Sequence, residues 1–344
     1  MVANKPQPPS PEPRPPKGPA GSRLRAALWR VLWSAQDGRL HLVPRLALGM
    51  ALLLVLRTLL GWFGGTALLN LAGRAWGAAG WVTVRGLSRL SMTLLGTWLA
   101  ARFLDRRPFA GFGFHLGRRW WLDFGFGLVL GALLMVGIFL VEWAVGWVRV
   151  TGALMADPQG PPFPGALLAA LVLYLCVGIY EELYTRGYVL RNLAEGLSFR
   201  PLTAGGGLAL AWLFSSIQFG VAHYGNPNAT LMSTANLVVA GLFLGLGYVL
   251  TGELAIPIGL HITWNLFQGN VFGFPVSGLT LGPYFIAITQ RGPALWTGGP
   301  FGPEGGLMGV LAMLCGAGAI LAWVRWRRGR LALETRLAEA PLRG

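Results

Sequence analysis

Two adjacent acidic residues interrupt an apolar stretch near the middle of the chain. Glu181 and Glu182 directly follow the run ALLAALVLYLCVGIY, and Arg186 comes four residues after Glu182, on the same face of a helix. An acidic side chain inside a bilayer costs several kcal/mol, so it usually faces a cavity and serves a function. The simpler interpretation is that the helix leaves the membrane here and that both carboxylates are hydrated.

Two histidines lie in the apolar segments that follow. His223 ends the run SSIQFGVAH, with Phe219 one helical turn before it, and in HITWN the residues His261 and Asn265 share a helix face. A lone histidine in an apolar helix is more often a structural residue than a functional one. The chain contains four histidines, however, and two of them follow the glutamate pair in neighbouring apolar segments.

These residue types could together hydrolyse an amide bond. A carboxylate beside a neutral imidazole can take a proton from water, either directly or with a metal ion that holds the water. A second imidazole and an amide side chain can donate hydrogen bonds to the oxyanion that forms.

The composition predicts that a membrane positions these residues. Hydrophobic residues make up 54% of the 344-residue chain, charged residues 12%, and the mean hydropathy is +0.55. Soluble domains carry about 25% charged residues. The net charge of +15 does not indicate nucleic-acid binding, because the basic residues fall mostly in the tails and between apolar runs.

The fold class predicted is all-α, a polytopic transmembrane helical bundle of about eight spans. Each span needs about 20 mostly apolar residues, and the second candidate is the weakest because Arg85 and Arg89 lie near its start. Arginine-rich stretches precede the first span and follow the second, fourth and eighth, which predicts that both termini are cytoplasmic. The candidate spans are 43–63, 82–104, 122–147, 165–185, 204–222, 231–250, 254–271 and 306–324.

The organisation along the chain follows from these spans. The proline-rich start is expected to be disordered, and RLRAALWRVLWSAQ predicts a basic amphipathic helix that lies on a membrane surface or docks on the protein itself. The predicted segments are a tail (1–22), an interfacial helix (23–40), N-terminal membrane helices (41–160), a catalytic core (161–280), an extramembrane loop with the last membrane helix (281–330) and a cytoplasmic tail (331–344).

The polar residues in the apolar segments resemble the motifs of the CPBP family, which comprises CAAX-type intramembrane proteases and bacteriocin-processing enzymes and is also called the Abi family. Its pattern is EExxxR, then FxxxH, then HxxxN on consecutive membrane helices. The similarity covers about 165–280, and NVFGFPVSG (270–278) also resembles the family. The matching residues are Glu181, Glu182, Arg186, Phe219, His223, His261 and Asn265.

The resemblance implies an intramembrane endopeptidase that cleaves a membrane-associated protein or peptide. It implies that Glu181 activates water together with His223 and that Glu182 and Arg186 support them. By the same resemblance, His261 and Asn265 stabilise the oxyanion.

The cofactor is left open by the resemblance. One alternative is a divalent metal such as zinc, held by Glu181, His223 and His261, and the other is a metal-free glutamate mechanism. The sequence contains no HExxH motif, which would have indicated zinc directly.

Two other functions fit the same composition. One is a non-catalytic immunity or scaffold protein of the same fold, and the other is an ion-coupled transporter, although no inverted repeat is evident. The expected partners are membrane lipid and a protein or peptide substrate, not nucleic acid, and the expected location is a prokaryotic cytoplasmic membrane.

The predicted spans place two site residues at different depths. If the fourth and fifth spans form a simple hairpin, His223 lies near the far end of the fifth, whereas Glu181 lies towards the cytoplasmic end of the fourth. The two meet if the fourth helix is tilted or extends past Arg191, or if the fifth helix is short and set deep.

The remaining ionisable and sulfur-containing residues are not expected to belong to the site. Glu142, beside Trp143 and Trp147, is expected near the lipid headgroups. His41 and His115 lie in arginine-containing stretches beside the spans. Cys176 and Cys315 lie in apolar runs, where cysteine behaves as a small hydrophobe.

Overall fold

The computed structural model describes residues 32–34, 38–60, 65–198 and 202–340, and its architecture is the predicted polytopic helical one. Short 3₁₀ turns and three π-helical segments connect or extend the α-helices. In the described residues the α-helices are α1 (Leu42–Leu60), α2 (Thr66–Leu99), α3 (Arg118–Ala144), α4 (Phe163–Glu182), α5 (Arg191–Leu197), α6 (Ala204–Ala222), α7 (Leu231–Thr251), α8 (Ala255–Leu266), α9 (Ala294–Thr297) and α10 (Leu307–Arg328).

Six helices in the described part of the chain are long and apolar enough to cross a membrane. Two of the eight predicted spans do not reach that standard. Segment 82–104 belongs to the second half of α2, where Arg85 and Arg89 reduce the apolar character, and segment 254–271 contains an α-helix of 12 residues. The six spans are Leu42–Leu59, Arg118–Ala144, Phe163–Leu197, Ala204–Ala222, Leu231–Thr251 and Leu307–Arg328.

The span that carries the glutamate pair is longer than the sequence predicted. Helix α4 continues without a break through a π-helical segment, Leu183–Leu190, into α5, which gives one helix of 35 residues. The Thr185 hydroxyl donates to the Glu181 carbonyl in the turn where the π-helical segment begins. Side-chain bonds of this kind compete with the regular helical ladder, and single π turns often occur at functional sites.

Glycine contacts hold α8 at the centre of the bundle. All residues from Ala255 to Trp264 are buried. Gly127 and Gly131 on α3 lie against α8, and a methyl group at Gly127 would lie 2.5 Å from the Ile256 carbonyl oxygen. Small residues four apart allow helix backbones to approach closely in membranes. The helix that carries His261 therefore rests directly on the backbone of α3.

Among the residues that the structure describes, four short strands form two antiparallel pairs. Strands β1 (Trp33–Ser34) and β2 (Arg39–Leu40) pair beside α1. Strands β3 (Val148–Met155) and β4 (Tyr284–Gln290) join the segment after α3 to the segment after α8, with a bulge between Val150 and Gly152.

Glu142 is buried by protein beneath this second pair, in the last turn of α3. Its side chain is 0% exposed, and the Gln290 amide donates to its Oε2 at 3.0 Å. Strand β4 packs beside the end of α3, and the sequence of α3 alone could not reveal that cover.

Arg107, one of the arginines behind the topology prediction, belongs to a buried ionic cluster. Glu195 on α5 pairs with Arg39, Arg45 and Arg107, and Asp105 pairs with Arg45 at 3.2 Å. Burial raises the pKa of Asp105 and lowers that of Arg107 to about 9. The cluster joins the chain before α1, the end of α2 and α5.

The predicted terminal segments are described only in part. Residues 1–31 of the predicted tail and interfacial helix lie outside the described residues, and Trp33–Ser34 and Arg39–Leu40 form strands rather than helix. At the other end, a short turn at Thr335–Ala338 packs on α5 and α6 and buries Leu337. Part of the predicted cytoplasmic tail is therefore folded against the protein.

Candidate active site

The two adjacent glutamates occupy different environments. Both lie near the middle of the 35-residue helix, directly before its π-helical segment. The Glu182 side chain is fully buried, whereas the Glu181 side chain is 23% exposed. Since successive helical residues point about 100° apart, one carboxylate can be enclosed by protein while its neighbour reaches an accessible space.

One oxygen of Glu182 joins its own helix to α8, and Arg186 extends the contact to α7. Glu182 Oε1 lies 2.9 Å from a guanidinium nitrogen of Arg186 and 2.8 Å from Nδ1 of His261 on α8. Arg186 also donates to the Gly241 carbonyl on α7 at 3.0 Å. A buried carboxylate needs this kind of pairing to remain charged, so Glu182 is built into the packing of α4, α7 and α8.

Phe219 has a direct contact that explains its place in the motif. The Arg186 guanidinium lies 4.5 Å from the centre of the Phe219 ring, and that ring also packs near His223. A cation over an aromatic face is favourable, more so when water is excluded. The aromatic residue of the second motif thus joins α6 to the arginine of the first.

The hydrogen bonds fix which nitrogen each histidine turns towards Glu181. His223 Nδ1 lies 2.8 Å from the Phe219 carbonyl oxygen, which can only accept, so Nδ1 carries the proton. His261 uses Nδ1 to bind Glu182. Both imidazoles therefore present Nε2 to Glu181, whose Oε2 lies 4.0 Å from His223 Nε2 and 3.9 Å from His261 Nε2.

These distances are too long for direct hydrogen bonds. Donor and acceptor atoms in an N–H···O bond lie about 2.7–3.2 Å apart, and polar atoms slightly farther apart are commonly bridged by water. The space between Glu181 Oε2 and the two Nε2 atoms suits a polar atom that bonds to all three groups.

Asn265 lies one turn beyond His261 on α8, as its spacing predicted. It is half-buried, and its side chain has no hydrogen-bond partner among the residues that the structure describes. Its amide therefore keeps two N–H groups for a ligand.

The extended helix removes the depth conflict that the sequence raised. His223 closes the C-terminal end of α6, and it meets α4 because that helix runs on to Leu197 rather than ending at residue 185. The predicted end of the fourth span was wrong. Of the arrangements considered, a helix that extends past Arg191 is the one observed.

The donor types suit zinc, but their spacing does not form a metal-binding set. Two imidazoles and a carboxylate are common zinc ligands, with bonds of about 2.0–2.2 Å. Ligand atoms around tetrahedral zinc therefore lie about 3.3 Å apart, closer than the 3.9 and 4.0 Å from Glu181 Oε2. Within the described ranges no group of three or more His, Cys, Asp or Glu side chains is arranged to hold a metal ion.

Some contacts of the site were not predicted. The Gly241 carbonyl leaves no signature in a sequence, because every residue has one. Arg89, which counted against a span, donates to the Tyr180 hydroxyl next to Glu181 at 3.3 Å. An arginine within a largely apolar segment was the available signal.

The spans and the buried polar cluster define a multi-pass integral membrane protein. Residues 163–267 match the family model described as Type II CAAX prenyl endopeptidase Rce1-like. The match extends from the start of α4 to the end of α8 and includes all six predicted site residues.

A curated protein shows a similarity of wider extent. The chain is 28% identical over 214 residues to the Bacillus subtilis (strain 168) protein named "Uncharacterized protein YyaK". The aligned region covers 58% of this chain and 64% of that relative, so less than two thirds of the relative's length is matched. No solved structure matches the chain. The similarity to that family thus covers the helices that carry the polar cluster.

Proposed function

We propose that the protein is an intramembrane endopeptidase that hydrolyses a peptide bond of a membrane-associated protein or peptide. The observation that carries the proposal is the position of Glu181 Oε2, 4.0 Å or less from two imidazole Nε2 atoms within a membrane-spanning helix. Glu181 is the accessible carboxylate of the pair, because Glu182 is bonded to Arg186 and His261.

Glu181 acts as the base in this proposal. It takes one proton from a water molecule held between its Oε2 and His223 Nε2, and the water oxygen attacks the peptide carbonyl carbon. When the C–N bond breaks, the proton passes from Glu181 to the departing amine. The second proton of the water stays on the new carboxyl group, which then ionises and passes that proton to the amine. The products are a carboxylate and an ammonium terminus, and Glu181 is again a carboxylate.

Asn265 and His261 stabilise the oxyanion that forms on the peptide carbonyl. Asn265 offers N–H donors at any pH, whereas His261, whose Nδ1 donates to Glu182, donates from Nε2 only when both of its ring nitrogens carry a proton. Removal of one oxyanion donor commonly costs about 10²–10³ in kcat.

The proposed mechanism uses no metal ion, and the metal content of the active protein tests this. Activity that persists after treatment with a chelator, in protein without bound metal by elemental analysis, supports the metal-free mechanism. Loss of activity that zinc restores would instead assign Glu181, His223 and His261 to a metal.

The proposal is tested with purified protein in liposomes and two versions of one membrane-bound peptide. Both end in a CAAX sequence, and only one carries a prenyl group on its cysteine, a modification suggested by the family description. Glu181→Gln and His223→Ala are each expected to reduce the cleavage rate by about 10²–10⁴ while the protein remains folded.

Glu253→Gln is the matched control, because Glu253 lies in the turn after α7 and bonds to His115 at 2.8 Å. It is expected to keep the wild-type rate. Full activity of either site variant would refute the proposed roles. The proposed peptidase function would be refuted if the wild-type protein cleaved neither peptide and also cleaved no peptide of a varied membrane-anchored library.

A further inference from the structure

One more buried glutamate, Glu304, lies outside the predicted motifs. Glu304 is 4% exposed in the turn Pro303–Gly305, directly before α10. Its Oε1 accepts the Ser277 backbone N–H at 2.5 Å and faces the Ser277 hydroxyl at 3.2 Å, and its Oε2 accepts from the Gln268 amide. The Glu304 carboxylate thus accepts hydrogen bonds from two segments, one with Ser277 and one with Gln268.

The first of these segments leads to His223. The Asn226 side chain donates to the Ser277 carbonyl at 3.0 Å, and the Asn226 backbone N–H donates to the His223 carbonyl, also at 3.0 Å. Gly278 has a φ of +81° and lies so close to the Pro227 carbonyl that no side chain fits there. The turn after His223 therefore rests on the segment that Glu304 holds.

The second segment leads to His261 and Asn265. Gln268 is fully buried in the π-helical segment that continues α8, three residues after Asn265. Its amide also donates to the Pro275 carbonyl at 2.5 Å. The end of α8 is therefore tied to the same loop.

We propose that Glu304 is a positioning residue that sets the spacing between the His223 turn and the helix carrying His261 and Asn265. The inference rests on the proposed peptidase function, because the spacing matters through the chemistry at Glu181. Glu304 acts through Ser277 and Gln268 and does not touch the reacting atoms.

An ionised carboxylate is suited to this position because it only accepts hydrogen bonds. All three groups that face Glu304 present N–H or O–H donors. A glutamine of nearly the same shape would turn one NH₂ group against them. An aspartate would keep the acceptor but be shorter by one methylene.

Glu304→Gln is therefore expected to lower kcat by about 10- to 100-fold, since small misplacements of reacting groups have effects of this size. KM should change less than about twofold, because the substrate contacts are not altered. Glu304→Asp should recover part of the lost kcat. In hydrogen exchange, the amides of residues 223–229 should exchange faster in Glu304→Gln than in the wild type.

Glu142→Gln is the matched control. It removes another fully buried glutamate with a glutamine partner, but the contacts of Glu142 do not run to the His223 turn. This variant should keep kcat and the exchange rates of residues 223–229, whatever it does to stability. Equal losses in both variants would overturn the inference, as would an unchanged kcat in Glu304→Gln.

The wild type and Glu181→Gln are measured beside these variants. If those two do not differ, the proposed function fails whatever Glu304 does. If they differ and Glu304→Gln behaves as the wild type, only the positioning role fails. The hydrogen-exchange measurement tests the structural link without any substrate.

Discussion

Glu182 and Arg186 are each at most 1% exposed within a membrane-spanning helix, so the pair is held without water on either side. Desolvation of two charges is costly, and the pair compensates it only while both members are present. His261 donates to Glu182, and the Gly241 carbonyl accepts from Arg186. The contribution of each residue therefore depends on the other.

Arg186→Met is expected to destabilise the protein by about 3–5 kcal/mol, since it leaves the Glu182 charge buried without its partner. Glu182→Gln leaves the arginine in the same situation. The double variant should lose less than the sum of the two single losses. Unfolding in detergent micelles measures all four proteins, and additive losses would show that the two side chains are energetically independent.

Glu304 also predicts a pH dependence of stability. Burial raises its pKa from 4.5 to about 7 in the folded protein. Between these values the folded state holds a proton that the unfolded state has released, so stability falls as pH rises. The contribution is fully present below pH 4.5 and is lost as pH rises through about 7.

The measurement is the unfolding temperature of the wild type and of Glu304→Gln across this pH range. The difference between the two should shift in favour of the variant as pH rises, because the variant has no proton to release. Parallel curves would show that Glu304 does not titrate in this range.

Among the elements, α8 depends most on close backbone contact. Its neighbour α3 carries glycines that contact α8 closely and glycines that do not. A methyl group at Gly131 would overlap the Leu260 carbonyl and lie 2.5 Å from Thr263 Oγ1, whereas Gly137 has nothing within 4 Å of such a group. The first glycine allows the helices to meet, and the second makes no such contact among the described residues.

Gly131→Ala is therefore expected to displace α8, to cost about 1–3 kcal/mol of stability, and to lower peptidase activity because Leu260 adjoins His261. Gly137→Ala, in the same helix, should be neutral or slightly stabilising, because alanine favours helix. Thermal unfolding and the peptide cleavage assay report the two effects. Equal behaviour of the two variants would contradict the packing argument.

The sequence predicted which residues meet more reliably than it predicted the elements that carry them. Glu181, His223 and His261 stand out because ionisable side chains are rare in apolar segments, and they lie together in the structure. The 35-residue helix was missed because hydropathy falls where the polar residues EELYTR begin, although the helix continues. In a sequence, polar residues that are buried by protein cannot be told from polar residues that are exposed to water.

Long-range cover was beyond the reach of sequence patterns for the same reason. Glu142 lies under strand β4, and Glu304 binds Ser277, contacts between segments far apart in the chain. Neither partner has a periodic signal, since both are single polar residues in loops or at strand ends. Helix α8 was assigned as a span because its residues are apolar, and burial within protein requires the same composition as burial in lipid.

For the whole molecule, the orientation in the membrane is still a prediction from charge. Arginines fall in the last turn of α10, at Arg325, Arg327 and Arg328, and such residues favour the cytoplasmic side. If the C-terminal end of α10 is cytoplasmic, its start lies at the opposite membrane surface. The turn after His223 lies there too, because Glu304 before α10 and Asn226 in that turn both bind Ser277.

Single cysteines test this orientation in a variant that lacks Cys176 and Cys315. Tyr224→Cys, at an exposed position in that turn, should react with a membrane-impermeant thiol reagent applied to intact cells. Leu331→Cys, exposed beyond α10, should react only after the cells are opened. The reverse pattern would invert the topology, and labelling of both would exclude an arrangement with α10 ending in the cytoplasm.

Helix α8 has a consequence for how the chain is made. Its 12 α-helical residues and the π-helical segment Phe267–Val271 that continues them make 17 residues, fewer than the about 20 that a span usually needs. All residues from Ala255 to Trp264 are buried in protein. Helix α8 therefore has no stable place of its own in lipid when it leaves the insertion machinery. The helices that enclose it, α3, α4 and α7, all precede it in the chain, so its binding site is already synthesised when α8 emerges. Assembly of the catalytic cluster is thus expected to be a late event in biosynthesis, in which α8 enters a partly formed bundle rather than the bilayer.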